Sequence, residues 1–179
     1  MKKIIISITT TLCLLGCGGE DSQNNSNTPN QQEKTSSEII QQMERNGELP
    51  VLDRSTSIEG IDLNNNHIRD DIEEYIAKEY TEIHKRKAVE QLASTIQLGL
   101  NADKTDIEAL KQVSNNQSRA IGCIYQQFPM EDTVEAKNVV KDLISLTTNT
   151  KERLVAHLEM SKALDGTVLS LPKGDLCDD

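Results

Sequence analysis

The sequence predicts an all-α protein: a small antiparallel bundle of four to six helices behind a disordered N-terminal linker. Three observations lead there. Apolar residues between Ile72 and Leu164 recur at spacings of three and four, the signature of helices that each bury one face. No stretch sustains period-two alternation; Val168 to Leu171 is the one candidate strand, and a single short strand cannot form a sheet. The only rings are Tyr75, Tyr80, Tyr125 and Phe128, so the core must be aliphatic and no stacking platform for sugars or bases can be assembled. No repeat of 20–50 residues is present.

Lys2 and Lys3 open the chain, followed by an apolar run from Ile4 to Leu15 broken only by Ser, Thr and Cys13. A charged start, a short apolar stretch and a small residue describe a signal peptide. The run is too short to cross a hydrocarbon core of roughly 30 Å as a helix. Leu14-Leu15-Gly16-Cys17 resembles the lipobox of bacterial lipoproteins. The resemblance implies that residues 1–16 are removed and that Cys17, diacylated on sulfur, becomes the mature N-terminus. In Gram-negative members of that family an Asp after the acylated Cys directs retention in the inner membrane, so Gly18 implies the outer membrane.

Removing residues 1–16 from 179 leaves 163, enough for one domain and a tether. The removed piece carries two Lys and no acid, so 17 basic side chains face 29 acidic ones, a charge of −12. Such a surface repels nucleic acid and anionic head groups, and attachment to a membrane rests on the lipid. Residues 17–35 then form the acylated Cys and a polar linker with no aliphatic or aromatic residue from 18 onward, and residues 36–179 form the folded domain.

A short helix is expected from Ser37 to about Asn46, with Ile39, Ile40 and Met43 on one face, stopped by Gly47 and Pro50. Residues 50–61 read as irregular. From Asp70 the pattern Ile72, Tyr75, Ile76, Tyr80, Ile83, Val89, Leu92, Ile96, Leu100 is helical, as one long helix or two with a bend, ending at Asn101. Thr105 and Glu108 have the spacing of a capping box for the next helix, with Ser114-Asn115-Asn116 as a candidate break and Pro129 as its end. Asp132 with Glu135 caps a further helix that turns Val134, Val139, Val140, Leu143 and Ile144 inward. Asn149 with Glu152 caps the last, with Leu154, Val155, Leu158 and Leu164 inward before Gly166.

With Cys13 lost in the signal and Cys17 acylated, Cys123 and Cys177 remain. In an oxidising compartment they are expected to pair, stapling a tail that contains Pro172 and Gly174 to the body. A redox or metal thiol pair is the competing reading, and no C-x-x-C spacing or nearby His favours it.

One segment carries chemistry. Counting Asp62 as position 1, oxygen-bearing side chains fall at 3 (Asn64), 5 (Asn66), 9 (Asp70) and 12 (Glu73), and position 7 (Ile68) would offer its carbonyl. Calcium takes six to eight oxygens, and a tight loop supplies them from alternate residues. These residues resemble the calcium loop of EF-hands and, more closely, the Asp-rich loops of thrombospondin type 3 and dockerin-like repeats; the match covers Gly60 to Glu74. The resemblance implies calcium held by Asp62, Asn64, Asn66, Ile68, Asp70 and Glu73, with position 9 commonly acting through a water. Three departures stand out: His67 replaces the glycine of position 6, Arg69 replaces the aliphatic residue of position 8, and no second loop exists to pair with. His tolerates the positive φ that position 6 demands better than most residues. The alternative is a polar turn with acids in the first helical turn, complementing the macrodipole.

Catalytic signatures are absent. His67, His84 and His157 lie in no H-E-x-x-H, and the chain has neither G-x-S-x-G nor a phosphate-binding glycine loop. The expectation is a non-enzymatic, calcium-stabilised lipoprotein acting as a structural or protein-binding module through an unidentified protein partner. The alternative is an immunity or inhibitor protein against a secreted cell-wall-acting toxin, its acidic surface meeting a basic enzyme.

Overall fold

In the computed structural model, residues 34–128, 133–169 and 172–178 are described. The body from Ser36 onward is an all-α bundle of six helices: α1 (Ser36–Arg45), α2 (Asp70–Glu79), α3 (Ile83–Asn101), α4 (Ile107–Gln127), α5 (Thr133–Thr147) and α6 (Lys151–Ala163). No strand occurs among the described residues, and none of their helices is long and apolar enough to cross a membrane. The signal segment, the acylation site and the linker to residue 33 lie outside the described residues.

The third helix is the hub. Along α3, Ala88, Val89, Leu92, Ala93, Ile96 and Leu100 are almost wholly buried, and α2, α4, α5 and α6 all pack on it. The core around it is aliphatic as expected, with Ile68, Ile72, Ile76, Leu110, Ile124, Val139 and Leu143. Gly99 lets α6 come close: a Cβ there would lie 2.6 Å from the sulfur of Met160.

Whether residues 70–101 form one helix or two is decided by Tyr80. It caps α2, its N–H donating to Ile76 O, and leaves the helical conformation at φ −112°, ψ 88°. Its ring meets Tyr75 edge-on at 6.3 Å and Phe128 at 6.1 Å, and Lys85 lies 5.3 Å from the Phe128 centroid. Burial pushes both phenols up from their ordinary pKa. Three of the four rings thus join α2, α3 and the end of α4, and no Gly or Pro is needed for the break.

Several local expectations are corrected. Asp106, not Thr105, caps α4, accepting from Ala109 N at 3.0 Å, while Thr105 donates to Asp103. Ser114-Asn115-Asn116 breaks nothing: α4 runs through it, with the Ser118 hydroxyl donating to Ser114 O. Thr150, not Asn149, caps α6. On α5 the buried stripe is Ala136, Val139, Leu143 and Thr147, and Val134 is 63% exposed. On α6, Leu154, Val155 and Leu158 face solvent, and the buried residues are Arg153, Ala156 and Met160. Val168 is exposed and not in a strand. The cap expected at Asp132, Pro129 and residues 170–171 fall outside the described residues.

The tail is stapled as expected. Cys123 and Cys177 are joined at 2.04 Å, with Cα atoms 4.8 Å apart. Leu176 sits against Gly122, where any Cβ would come within 2.3 Å of its Cδ1. Gln91 Nε2 donates to Leu176 O, the Asp178 N–H donates to Gln91 Oε1, and Arg119 pairs with Asp178. A cross-link 54 residues apart removes much of the unfolded chain's freedom. The double variant Cys123→Ser, Cys177→Ser should therefore lose about 4 kcal/mol of stability in urea unfolding, and an unchanged midpoint would contradict the staple.

Candidate functional site

The candidate loop folds as a closed, hydrogen-bonded turn leading into α2. Asp62 Oδ1 accepts from Asn66 N at 3.2 Å and its Oδ2 from His67 N at 2.9 Å. Asn64 Oδ1 accepts from Asn66 N, and Asn66 Oδ1 from Ile68 N, two Asx turns in succession. Two residues sit in the left-handed region, Asn65 at φ 58° and His67 at φ 65°. The latter is position 6, where His takes the conformation that the glycine of such loops provides.

Glu73 closes the turn. It reaches back across nine residues so that both carboxylate oxygens accept from Asn64 Nδ2 at 3.1 Å, and Oε1 also accepts from Asn66 Nδ2 at 2.5 Å. Asp62, Asn64, Asn66 and Glu73 are thereby brought together. Asp70 stands apart: its Oδ1 accepts from Leu63 N and its own N–H donates to Ile61 O, pinning the helix start. Ile68 turns its side chain into the core at 5% exposure.

Oxygen donors of this hardness suit calcium, and the residues present fit it in one further respect. The oxygen-bearing groups of positions 3, 5 and 12 are already held within hydrogen-bond reach of one another, so the two ends of the loop are close. Among the described residues no group of three or more His, Cys, Asp or Glu side chains converges as a metal cluster. The loop's donors are accordingly a mixed set, two carboxylates and two amides together with main-chain carbonyl.

Arg69, at position 8, does something the loop pattern did not anticipate. Its side chain is 1% exposed and runs inward. Nε and Nη2 donate to the two oxygens of Asp71 at 2.9 and 2.8 Å, and Nη1 donates to Thr147 O at the end of α5. Beside it, Arg153 of α6 is wholly buried, pairs with Asp53 at 2.8 Å, and donates to Asp53 O, Asn149 Oδ1 and Ile58 O. The two ion pairs are coupled, because Asp53 N donates to Asp71 Oδ2 at 2.8 Å. Gly60, at φ 70°, passes under both arms: a Cβ there would lie 2.4 Å from Arg69 Cδ and 3.1 Å from Arg153 Nη2. Gln97 of α3 adds two hydrogen bonds, to Ile58 O and Glu59 O.

This arginine pair backs the metal-type loop and holds the irregular segment 50–61 against the bundle. The sequence marks Arg69 only as a departure and Asn149 only as a helix cap, and it singles out none of Arg153, Asp53 and Asp71 for this role. The available signal was Arg69 at a position where an aliphatic residue is usual; Arg153 carried none.

No family model, curated protein or solved structure matches the chain. Of the remaining histidines, His84 is exposed on α3 and His157 is half-buried on α6.

Removing one partner of a buried ion pair leaves an uncompensated charge, at a cost of about 3–5 kcal/mol. Arg153→Met should show that loss in urea unfolding at pH 7, and a change below about 1 kcal/mol would refute the anchoring role. The Asp53 carboxyl is held below its usual pKa, first by the Ser55 backbone N–H and then by Arg153. A depressed carboxyl stabilises the fold fully above its unfolded value, about 3.9, and that contribution is lost as pH falls through the native value. Acid titration of the urea midpoint should therefore fall below about pH 4, and less steeply in Asp53→Asn.

Proposed function

We propose that this chain is a lipoprotein of the bacterial cell envelope, anchored at the outer membrane through Cys17. In it, calcium held by residues 62–73 fixes the start of α2, and the helical body serves as a non-enzymatic structural or protein-binding module. The observation that carries the calcium reading is the return of Glu73 to Asn64 and Asn66, opposite an Asp62 already bonded to the backbone at positions 5 and 6. A plain turn and cap has no need of a carboxylate twelve positions along that engages positions 3 and 5.

Asp62, Asn64, Asn66, Glu73 and the Ile68 carbonyl would hold the ion, with Asp70 acting through water. Calcium would supply the positive charge that the two amide groups supply in part. The chain's own contribution is rigidity on the inner side, where Ile68 and Arg69 are buried while Asn64, Asn65 and Asn66 remain exposed. Ordering of the outer half would then pass directly into the first turn of α2.

A second reading, the inhibitor of a secreted toxin, is favoured by a cleft of about 320 Å³ between residues 44–51 and α2. Glu44, Glu48, Asp71, Glu74 and Glu79 line it against a single Lys78, a surface suited to a basic protein. A gene for a basic secreted protein directly beside this one would favour that reading.

Extracellular calcium modules bind at roughly 0.1–1 mM, so about 2 mM calcium should add about 0.6–1.8 kcal/mol of stability. Thermal unfolding should rise by about 2–7 °C relative to excess chelator. Asp62→Ala and Glu73→Ala should each abolish the rise, and an equal rise in both variants would overturn the site.

A further inference from the structure

The acidic character of the chain is unevenly spread. Against 29 acids in 179 residues, the 20 residues 109–128, almost all of α4, contain no Asp or Glu. Beside this acid-free helix lies α5, and between the two runs a groove of about 360 Å³. Ile121 and Tyr125 of α4 and Val140 and Ile144 of α5 form its apolar lining, and Lys137 and Lys141 stand along its α5 rim. Those lysines are one helical turn apart, on the same face. Both are exposed, and neither forms an ion pair with a described side chain.

Lysines placed this way have a physical consequence. Two like charges at i and i+4 repel, weakly destabilising the helix that carries them. On the neighbouring helices Lys85 answers Glu82 and Lys111 answers Glu108, whereas Lys87, like the groove lysines, pairs with no described side chain. A pair left unanswered beside an apolar floor is complementary to a ligand that is apolar at one part and anionic at another. The groove volume lies at the lower end of the range for small-molecule pockets, about 300–1,000 Å³.

We propose that the α4–α5 groove binds a fatty acid. Its chain lies on Ile121, Tyr125, Val140 and Ile144, and its carboxylate is held between Lys137 and Lys141. The proposal is independent of calcium, since no residue of the groove belongs to the loop at 62–73.

The test uses the mature chain from residue 17 carrying Cys17→Ser, which lacks the apolar segment 4–15, is unacylated and needs no detergent. Dodecanoate and the uncharged dodecyl maltoside are titrated calorimetrically below their micelle concentrations. Saturable one-site binding of dodecanoate, at least about tenfold tighter than the maltoside, is expected. Lysophosphatidylglycerol of the same chain length should bind more weakly than dodecanoate; tighter binding of it would overturn the fatty-acid assignment. The double variant Lys137→Glu, Lys141→Glu should keep its melting temperature within about 2 °C and lose dodecanoate binding at least tenfold. Equal affinity for the two dodecyl probes, no binding of dodecanoate, or binding untouched by the double variant would each overturn the proposal. So would binding of an acidic amphipathic peptide in place of dodecanoate, which would assign the groove to a protein partner.

Discussion

Two buried guanidinium groups set the terms for the rest of this fold. A charge removed from water is tolerated only where every donor finds an acceptor. Arg69 and Arg153 meet that demand from segments far apart in the chain: Asp53 and Ile58 before the metal-type loop, Asp71 in α2, Thr147 at the end of α5, and Asn149 before α6. Residues 50–61 have no helix or strand of their own to hold them. They are fixed because their carbonyls and the Asp53 carboxylate are the partners the arginines require.

The same network steadies the turn at 62–73 from one side. Arg69, 1% exposed, reaches into the bundle and donates to Thr147 O at the end of α5. The loop is therefore asymmetric. Its inner half is tied to α2, α5 and α6, while its outer half depends on hydrogen bonds among Asp62, Asn64, Asn66 and Glu73. Binding at the outer half would be felt at the first turn of α2, and through Ile72 and Ile76 in the core around α3.

The far end of the molecule is organised by covalent and steric means. The disulfide and the fit of Leu176 against Gly122 hold a tail that has little apolar surface to bury. That leaves the outer faces of α4 and α5 open beside it. The acid-free stretch 109–128 thus lines one side of a groove, and the acid-rich segments 44–48 and 70–79 line another. Two surfaces of opposite electrostatic character follow from where the acids fall along the helices.

By itself the sequence determined the helical class, the aliphatic core, the start of α2 at Asp70, the end of α3 at Asn101, and the pairing of Cys123 with Cys177. Each follows from a local period, a residue count or a turn chemistry that needs no distant partner. The left-handed backbone at His67 belongs with them, since it follows from the position of His within the loop. Tertiary structure decided the rest. The face that α6 buries could not be read from its pattern, because Leu154, Val155 and Leu158 offer as apolar a face as Ala156 and Met160. Arg153 chose between them by pairing with Asp53, 100 residues away, and Gly99 made room for Met160. The break at Tyr80 was set in the same way, by rings of α2 and its cap meeting the ring at the end of α4. Periodicity reports how much apolar surface a helix has, whereas the choice of which surface to bury belongs to the partners that the rest of the chain brings to it.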